Sequence, residues 1–402
     1  MRILLAPDKF RGSLTAQQVT DAMAEGVQLA RPDAETVALP LADGGEGTAQ
    51  VLTEATNGTW HTATVSDPLG RSVEAGFGLS GDGATAFIEM AQASGLALLQ
   101  PDERHTNQTS THGTGELVLR AIETGVKQVV MGIGGSATTD AGIGMATALG
   151  WRFLDTGGRE LPPIGTNLLR ITRINPPEIS VADTIQFSVA CDVANPLYGP
   201  DGAACVYGPQ KGATPEAVAQ LDAGLRQFAR IVQEQFGVDV AHVPGAGAAG
   251  GLGAGALFFL NATLRPGVDV VLDAVDFNRH VCHADLVLTG EGKLDHQTIQ
   301  GKVLKGVADR AQRANVPVVA LCGTLDLGPT DIETLGLTAA FSVLNSPQSL
   351  DKAVLTAYDD VRRATFNVCR LLIRGERGSS GLVRINTDFL LFFIRDYPYS
   401  SA

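Results

Sequence analysis

Two carboxylates, Asp43 and Glu46, stand among three glycines in the stretch LPLADGGEGT, residues 39–48, at the end of an apolar run. Glycine lets backbone approach a ligand closely, at an entropic cost that folding must offset. Acidic side chains on such pliable backbone become well ordered when a cation binds them, and Mg2+ commonly takes one or two carboxylates together with substrate phosphates. The pattern recurs. LVLTGEGKLDHQTIQGK, residues 286–302, places Glu291, Lys293 and Asp295 after a β-like run, with Lys302 further on. CDVANPLYGPDGAACVYGPQKGAT, residues 191–214, carries Asp192 directly after another run and Lys211 in a glycine turn.

Cations and helix starts complete the inventory. In APDKFRGSLT, residues 6–15, a strand leads into Asp8, Lys9 and Arg11 and then a helix N-terminus near Ser13 and Thr15. Free N–H groups and the macrodipole favour anions there, so the segment reads as a phosphate or carboxylate cradle. GIGGSATTDAGIG, residues 132–144, follows the run QVVM, and Gly132, Gly134 and Ala137 fit the G-x-G-x-x-[GA] phosphate pattern. PGAGAAGGLGAG, residues 244–255, repeats that spacing at Gly245, Gly247 and Gly250. No Walker G-x-x-x-x-G-K-[ST] occurs, so a nucleotide site here is not of the P-loop type. HVCH, His280 to His283, has metal-like spacing without the second ligand pair a structural metal needs. Phosphoryl transfer fits these parts, because it asks for positioning and charge stabilisation more than covalent chemistry.

Such residues need a frame. Short β-type runs (RILLAP, TVALPL, QVVMGIGG, DLVLTGEG, VPVVALCG) alternate with helix-period segments, which predicts βαβ units around a largely parallel sheet. Thr15 with Gln18 forms a capping box, and Thr214, Pro215 and Glu216 stand in N-cap, first-turn order. Val218, Leu221, Leu225, Phe228, Val232 and Phe236 recur at spacings of three and four, one buried helix face. Between these, residues 59–91 alternate like antiparallel strands joined by Pro-Leu-Gly and Gly-Asp-Gly turns. The expected fold is therefore α/β with two domains. Residues 1–67 plus 282–374 form a Rossmann-like domain with a mostly parallel sheet, and 68–281 an inserted α/β domain with a mixed sheet. An atypical, aromatic-rich tail occupies 375–402.

Composition bounds the rest. The 402 residues carry a formal net charge of -13, and clustered Lys and Arg are missing, which argues against a nucleic-acid partner. Five scattered cysteines without a C-x-x-C pair favour reduced thiols in the cytoplasm. No apolar run approaches the ~18 residues of a spanning helix, so no membrane partner is expected. A homodimer is left open.

Taken together, DKFRGSL, PLADGGEGT, GIGGSATTDAG, CDVANPLYG, GPQKGA, GAGAAGGLG and TGEGKLDHQT resemble the bacterial type I glycerate kinases, in order, from the N-terminus to about residue 370. The resemblance implies a Rossmann-like domain and an inserted one with the active site in the cleft between them. It also implies ATP-dependent, Mg2+-requiring phosphorylation of glycerate, usually to 2-phosphoglycerate. Two motifs depart from the family pattern: Arg11 replaces its usual Lys, and Thr139-Asp140-Ala141-Gly142 replaces Asn-Asp-Gly-Gly. Under this reading Lys9, Asp43, Glu46, Asp192 and Asp295 are catalytic, with Asp43, Asp192 and Asp295 sharing the metal. Arg11, Ser13 and Glu291 bind the substrate. Gly134, Gly135 and Ser136, then Gly247, Gly250 and Gly251, with Lys211, hold ATP.

Two rival readings use the same residues. An NAD-dependent hydroxy-acid oxidoreductase would need an acidic residue about twenty positions after the glycine loop, where Asp155 is available. A non-enzymatic small-acid binding protein would need the anion-favouring helix ends but not the paired carboxylates.

Overall fold

Consecutive buried apolar residues mark a strand covered on both faces, and Ile3, Leu4 and Leu5 are all buried in β1 (Arg2–Leu5). The computed structural model describes residues 1–372 apart from 297 and 299–302; the tail expected from 375 and Lys302 lie outside the described residues. The strands that follow are β2 (Glu35–Ala38), β3 (Thr59–Ser66), β4 (Ser72–Leu79), β5 (Thr85–Glu89), β6 (Gln128–Gly132) and β7 (Arg152–Leu154). Then come β8 (Arg173–Asn175), β9 (Gln186–Ala190), β10 (Thr263–Arg265), β11 (Leu286–Leu294), β12 (Val318–Leu325) and β13 (Ala339–Ser342).

The chain divides into two units. The first holds Met1–Ala38, the segment from His280, and residues from Ala308 to the end of the described chain. Its five strands run β13-β12-β11-β1-β2, every pair parallel. Ile3, Leu5, Val319 and Leu321 pack with Val19, Met23 and Val27 of the helix Ala16–Ala30 and Val361 of the helix Leu350–Leu372. Thr15 caps the first of these as its capping box with Gln18 predicts. Strand order reverses between β1 and β11, the kind of position where open α/β sheets bind ligands beyond their carboxyl ends.

The second unit holds Leu39–Arg279 and the described residues of the segment that ends at Val307. Its sheet, β10-β9-β6-β5-β4-β3, is mixed: β3, β4 and β5 are antiparallel, whereas β5, β6, β9 and β10 run parallel. Thr214 caps the helix Pro215–Phe236, Pro215 opens it and Gly237 closes it in the left-handed region. Leu221, Leu225, Phe228 and Val232 of that helix are buried, and Val218 and Phe236 are half-buried against the same core. β7 and β8 form a separate hairpin.

The second unit starts at Leu39, where the sequence suggests 68, and the first resumes at His280 rather than 282. Pairing explains the difference. β3 lies against β4 along its full length, and the helix Thr48–Ala55 packs on β4 and β5, so residues 39–67 belong with the sheet they complete. Among the described residues no helix is long and apolar enough to cross a membrane.

Candidate active site

Register builds the first cluster. Glu89, Gly132, Ala190 and Arg265 stand in one row across the parallel half of the second sheet, each the last residue of its strand. The segments that leave this row therefore emerge side by side: 133–142 after β6, Cys191 and Asp192 after β9, and Pro266 and Gly267 after β10. The Gly267 N–H donates to Asp192 Oδ1 at 2.7 Å.

Asp43 and Gly44 meet this row. Gly44 has φ +86, and a Cβ there would lie 2.6 Å from Gly267 Cα; one on Gly267 would lie 2.7 Å from the Asp43 carbonyl oxygen. Only glycine fits both sides of that contact, which answers why an acidic turn is built on glycines. Asp43 and Asp192 are thereby brought together. Burial pushes the Asp192 carboxyl up, the Gly267 N–H opposes this, and the charge of Asp43 raises it further. Two hard oxygen donors held against their own repulsion match the ligand chemistry of Mg2+. The fold also holds Asp43 itself, whose Oδ1 accepts from Gly45 N–H at 3.1 Å. Glu46 is exposed at the turn, and the carboxylate that feels the charge of Asp43 is the distant Asp192.

Glu89 is a buried carboxylate in this row that sequence spacing does not disclose. Its Oε1 accepts from Ala49 N–H at 2.9 Å, in the first turn of the helix Thr48–Ala55, and so anchors the turn that carries Asp43. A lone acid in the run AFIEM gives no signal; only the strand pairing does.

The glycine loops divide into two kinds. Gly134 and Gly135 are exposed, and among the described residues nothing lies within 4 Å of a Cβ built on Gly134. The loop is fastened behind them, where Leu96 N–H donates to Gly135 O and Ala137 N–H to Ser94 O. Ten residues separate the end of β6 from its helix, Ile143–Ala148, so this is not the tight strand-to-helix turn of a dinucleotide fingerprint. Gly247, Gly250 and Gly251 stand at close packing contacts. A Cβ on Gly247 would strike the Pro196 carbonyl, one on Gly250 the Thr138 carbonyl, and one on Gly251 would lie 3.0 Å from Ala141 Cα. Close approach of backbone to backbone accounts for glycine at these three positions. Gly250 also has φ +69, so Gly250→Ala costs about 2–4 kcal/mol, read as a lower urea midpoint at unchanged m.

Lys211 and Ser136 face inward. Lys211 is buried, and its Nζ donates to Ser136 Oγ at 2.6 Å and to Thr138 O at 2.7 Å. Burial lowers the ammonium to about 7, against the pull of Asp140. Asp140 is itself fully buried; burial raises its carboxyl, while Thr111 N–H and Oγ1 and the N–H groups of Gly142 and Gly144 all donate to it. Lys211 thus braces the loop through Ser136 and Thr138. Ala141 has φ +53, so a residue with a Cβ occupies the backbone state for which glycine is the usual choice.

The second cluster stands in the first unit, at its strand-order reversal. Asp8 N–H donates to Gly290 O, tying the segment after β1 to β11, and a Cβ on Gly292 would lie 3.2 Å from Arg11 N. Lys9 is half-buried and Arg11 exposed. Ser13 Oγ is buried and has no hydrogen-bond partner among the described residues, an orphaned donor of the sort a ligand satisfies. Thr298 Oγ1 donates to buried Glu291 Oε1 at 2.5 Å, and Asp295 N–H donates to the same hydroxyl at 3.3 Å. Lys293 pairs with Asp295 Oδ2 at 3.0 Å. Of the three expected metal ligands, then, Asp43 and Asp192 converge within one unit, and Asp295 belongs to the other. Among the described residues no group of three or more His, Cys, Asp or Glu side chains is arranged to hold a metal, which also removes HVCH.

Asp155, the acid a dehydrogenase would need, is spent in the turn between β7 and Arg159. Its Oδ1 accepts from Gly157 and Arg159 N–H at 2.8 and 3.0 Å, and these bonds hold its carboxyl below the usual range.

Residues 3–373 match the glycerate kinase family. The chain is 46% identical over 367 residues to a glycerate kinase of Halalkalibacterium halodurans, covering 91% of this chain and 97% of that one. It is 43% identical over 383 residues to the glycerate 2-kinase of Escherichia coli (strain K12), covering 94% and 100%. The crystal structure of a protein assigned as glycerate kinase 2 from Salmonella typhimurium LT2 matches with a TM-score of 0.86 at 44% identity, covering 93% of this chain and 99% of that chain. These similarities support neither the dehydrogenase nor the binding-protein reading.

Proposed function

The chain belongs to the glycerate kinase family and is an enzyme that phosphorylates glycerate, and from that premise we propose that it moves the γ-phosphoryl group of ATP, with Mg2+, to the 2-hydroxyl to give 2-phosphoglycerate. The observation that carries the reading is the meeting of Asp43 and Asp192 beside the exposed Gly134–Gly135 loop, on one edge of one sheet. Asp43 and Asp192 would hold Mg2+, which when bound neutralises phosphate charge. The backbone of Gly134 and Gly135 approaches the nucleotide, and Ser136, Lys211, Gly247, Gly250 and Gly251 fix the shape of that loop.

In the first unit, Lys9 and Arg11 receive the glycerate carboxylate or the transferring group, with Arg11 suited to a bidentate grip. Ser13 Oγ offers the substrate a donor. Asp295 accepts the hydroxyl proton, and Glu291 orients the turn through Thr298. Glu46, exposed at the turn, assists Asp43 at the metal. The five cysteines are unpaired, which fits work in the cytoplasm.

A coupled ADP-release assay with ATP, Mg2+ and D-glycerate, followed by NMR of the product, tests the reading. Glycerate-dependent ADP release with 2-phosphoglycerate is the expected result. Formation of 3-phosphoglycerate would overturn the regiochemistry, and glycerate phosphorylation unchanged by chelation of divalent cations would overturn the metal.

A further inference from the structure

Resting on the reading of residues 133–140 as the nucleotide loop, we infer that Lys211 is a proton-linked positioning residue: its ammonium lies beneath that loop, and nucleotide binding draws a proton onto it. Three observations meet at this residue. Lys211 is buried, and its two hydrogen bonds go to Ser136 Oγ and Thr138 O, on the strand-distal side of the loop whose tip, Gly134–Gly135, is exposed. Its own turn, Pro209–Lys211, is locked by Gly212, which has φ +86 and packs against the Arg104 carbonyl. The backbone that carries the lysine is therefore held in place.

Asp140 is the charged group that acts on Lys211, and Arg104 lies on the segment packed against the turn. Asp140 is saturated by four donors from Thr111, Gly142 and Gly144, so it compensates the lysine only through space. Burial leaves the ammonium titrating at about 7. A buried cation that is half-protonated near neutral pH responds to any anion brought to the loop, because charge interactions in the interior are weakly screened. Phosphates at Gly134–Gly135 raise the affinity of Lys211 for its proton, and by reciprocity the proton raises the affinity for phosphates. Both hydrogen bonds survive deprotonation, since a neutral amine still has two N–H groups; what is lost is the charge.

The experiment is calorimetric titration of the full chain with ADP between pH 6 and 9, in two buffers of different ionisation enthalpy. The wild type should take up a fraction of a proton near pH 7–8 and lose about three- to tenfold in affinity between pH 6 and 9, beyond the titration of ADP itself. Lys211→Arg should bind tightly with no such added slope, and Lys211→Met weakly with none. A wild-type slope equal to that of Lys211→Met, or no proton uptake by the wild type, would overturn the inference. Lys211→Arg, which keeps the charge at every pH in the range, supplies the reference if Lys211→Met fails to fold. Gly134→Val separates the two levels: unchanged ADP affinity means the loop does not hold nucleotide, whereas weakened affinity without Lys211-dependent proton uptake removes this inference alone.

Discussion

Asp43→Asn should lower kcat by about 10²- to 10⁴-fold while the melting temperature stays within a few degrees of the wild type. Asparagine keeps the Oδ1 acceptor that takes the Gly45 N–H, so the turn survives. It also removes the repulsion that Asp43 exerts on Asp192, which favours the folded state and lets the Asp192 carboxyl fall toward its ordinary range. Stability and activity are thus expected to part company, as they do where charge is held together for a ligand and not for the fold. Asp192→Asn should behave alike, because its Oδ1 still accepts from Gly267. If both carboxylates serve one metal, the double variant loses little more than the worse single one. Steady-state kinetics at several Mg2+ concentrations, with thermal unfolding alongside, check this. A large drop in melting temperature with kcat intact would make Asp43 a structural residue.

That pairing shows where the sequence is informative and where it is not. Local physics is legible: Thr15 and Thr214 cap their helices as their spacing predicts, and Leu221, Leu225, Phe228 and Val232 share one buried face. These depend on neighbours a few residues away. The partner of Asp43 does not, since Asp192 reaches it through the order of four parallel strands separated by long crossovers. Glu89 is invisible for the same reason; its position beside Gly132 is a fact of register, of which one acid among apolar residues carries no sign. The two glycine-rich loops show a different limit. Gly132–Ala137 and Gly245–Gly250 share one spacing, yet the first presents open backbone at Gly134 and the second seats Gly250 against Thr138. Spacing records that a side chain is excluded, not whether the excluding body is a ligand or the protein's own carbonyl. The boundary at Leu39 is hidden likewise, because β2 and the Asp43 turn run together without any linker composition, and only β3 pairing with β4 assigns the turn to the second sheet.

The second large effect expected is a stability gap between wild type and Lys211→Met that changes with pH in the opposite sense to nucleotide affinity. Below about pH 7 Lys211 is charged in both folded and unfolded chains, and the full cost of burying an ammonium is present. Between about 7 and its ordinary 10.5 the folded chain holds it neutral while the unfolded chain holds it charged. The unfolded state then binds more protons, so the wild type gains stability as pH rises through this window. The fall to about 7 sets an upper bound of about 5 kcal/mol on that gain; relaxation around the loop would reduce it. Other groups titrate equally in both proteins, so the difference between them isolates this lysine. Urea unfolding at intervals from pH 6 to 10 should find Lys211→Met the more stable protein at the acid end, with the gap closing by a few kcal/mol toward pH 10. A gap that stays constant would mean the ammonium reaches solvent. On the inference drawn above, the same proton that weakens the fold would strengthen the grip on phosphate, and this would account for a costly buried lysine beneath a loop where an apolar residue would hold the fold better.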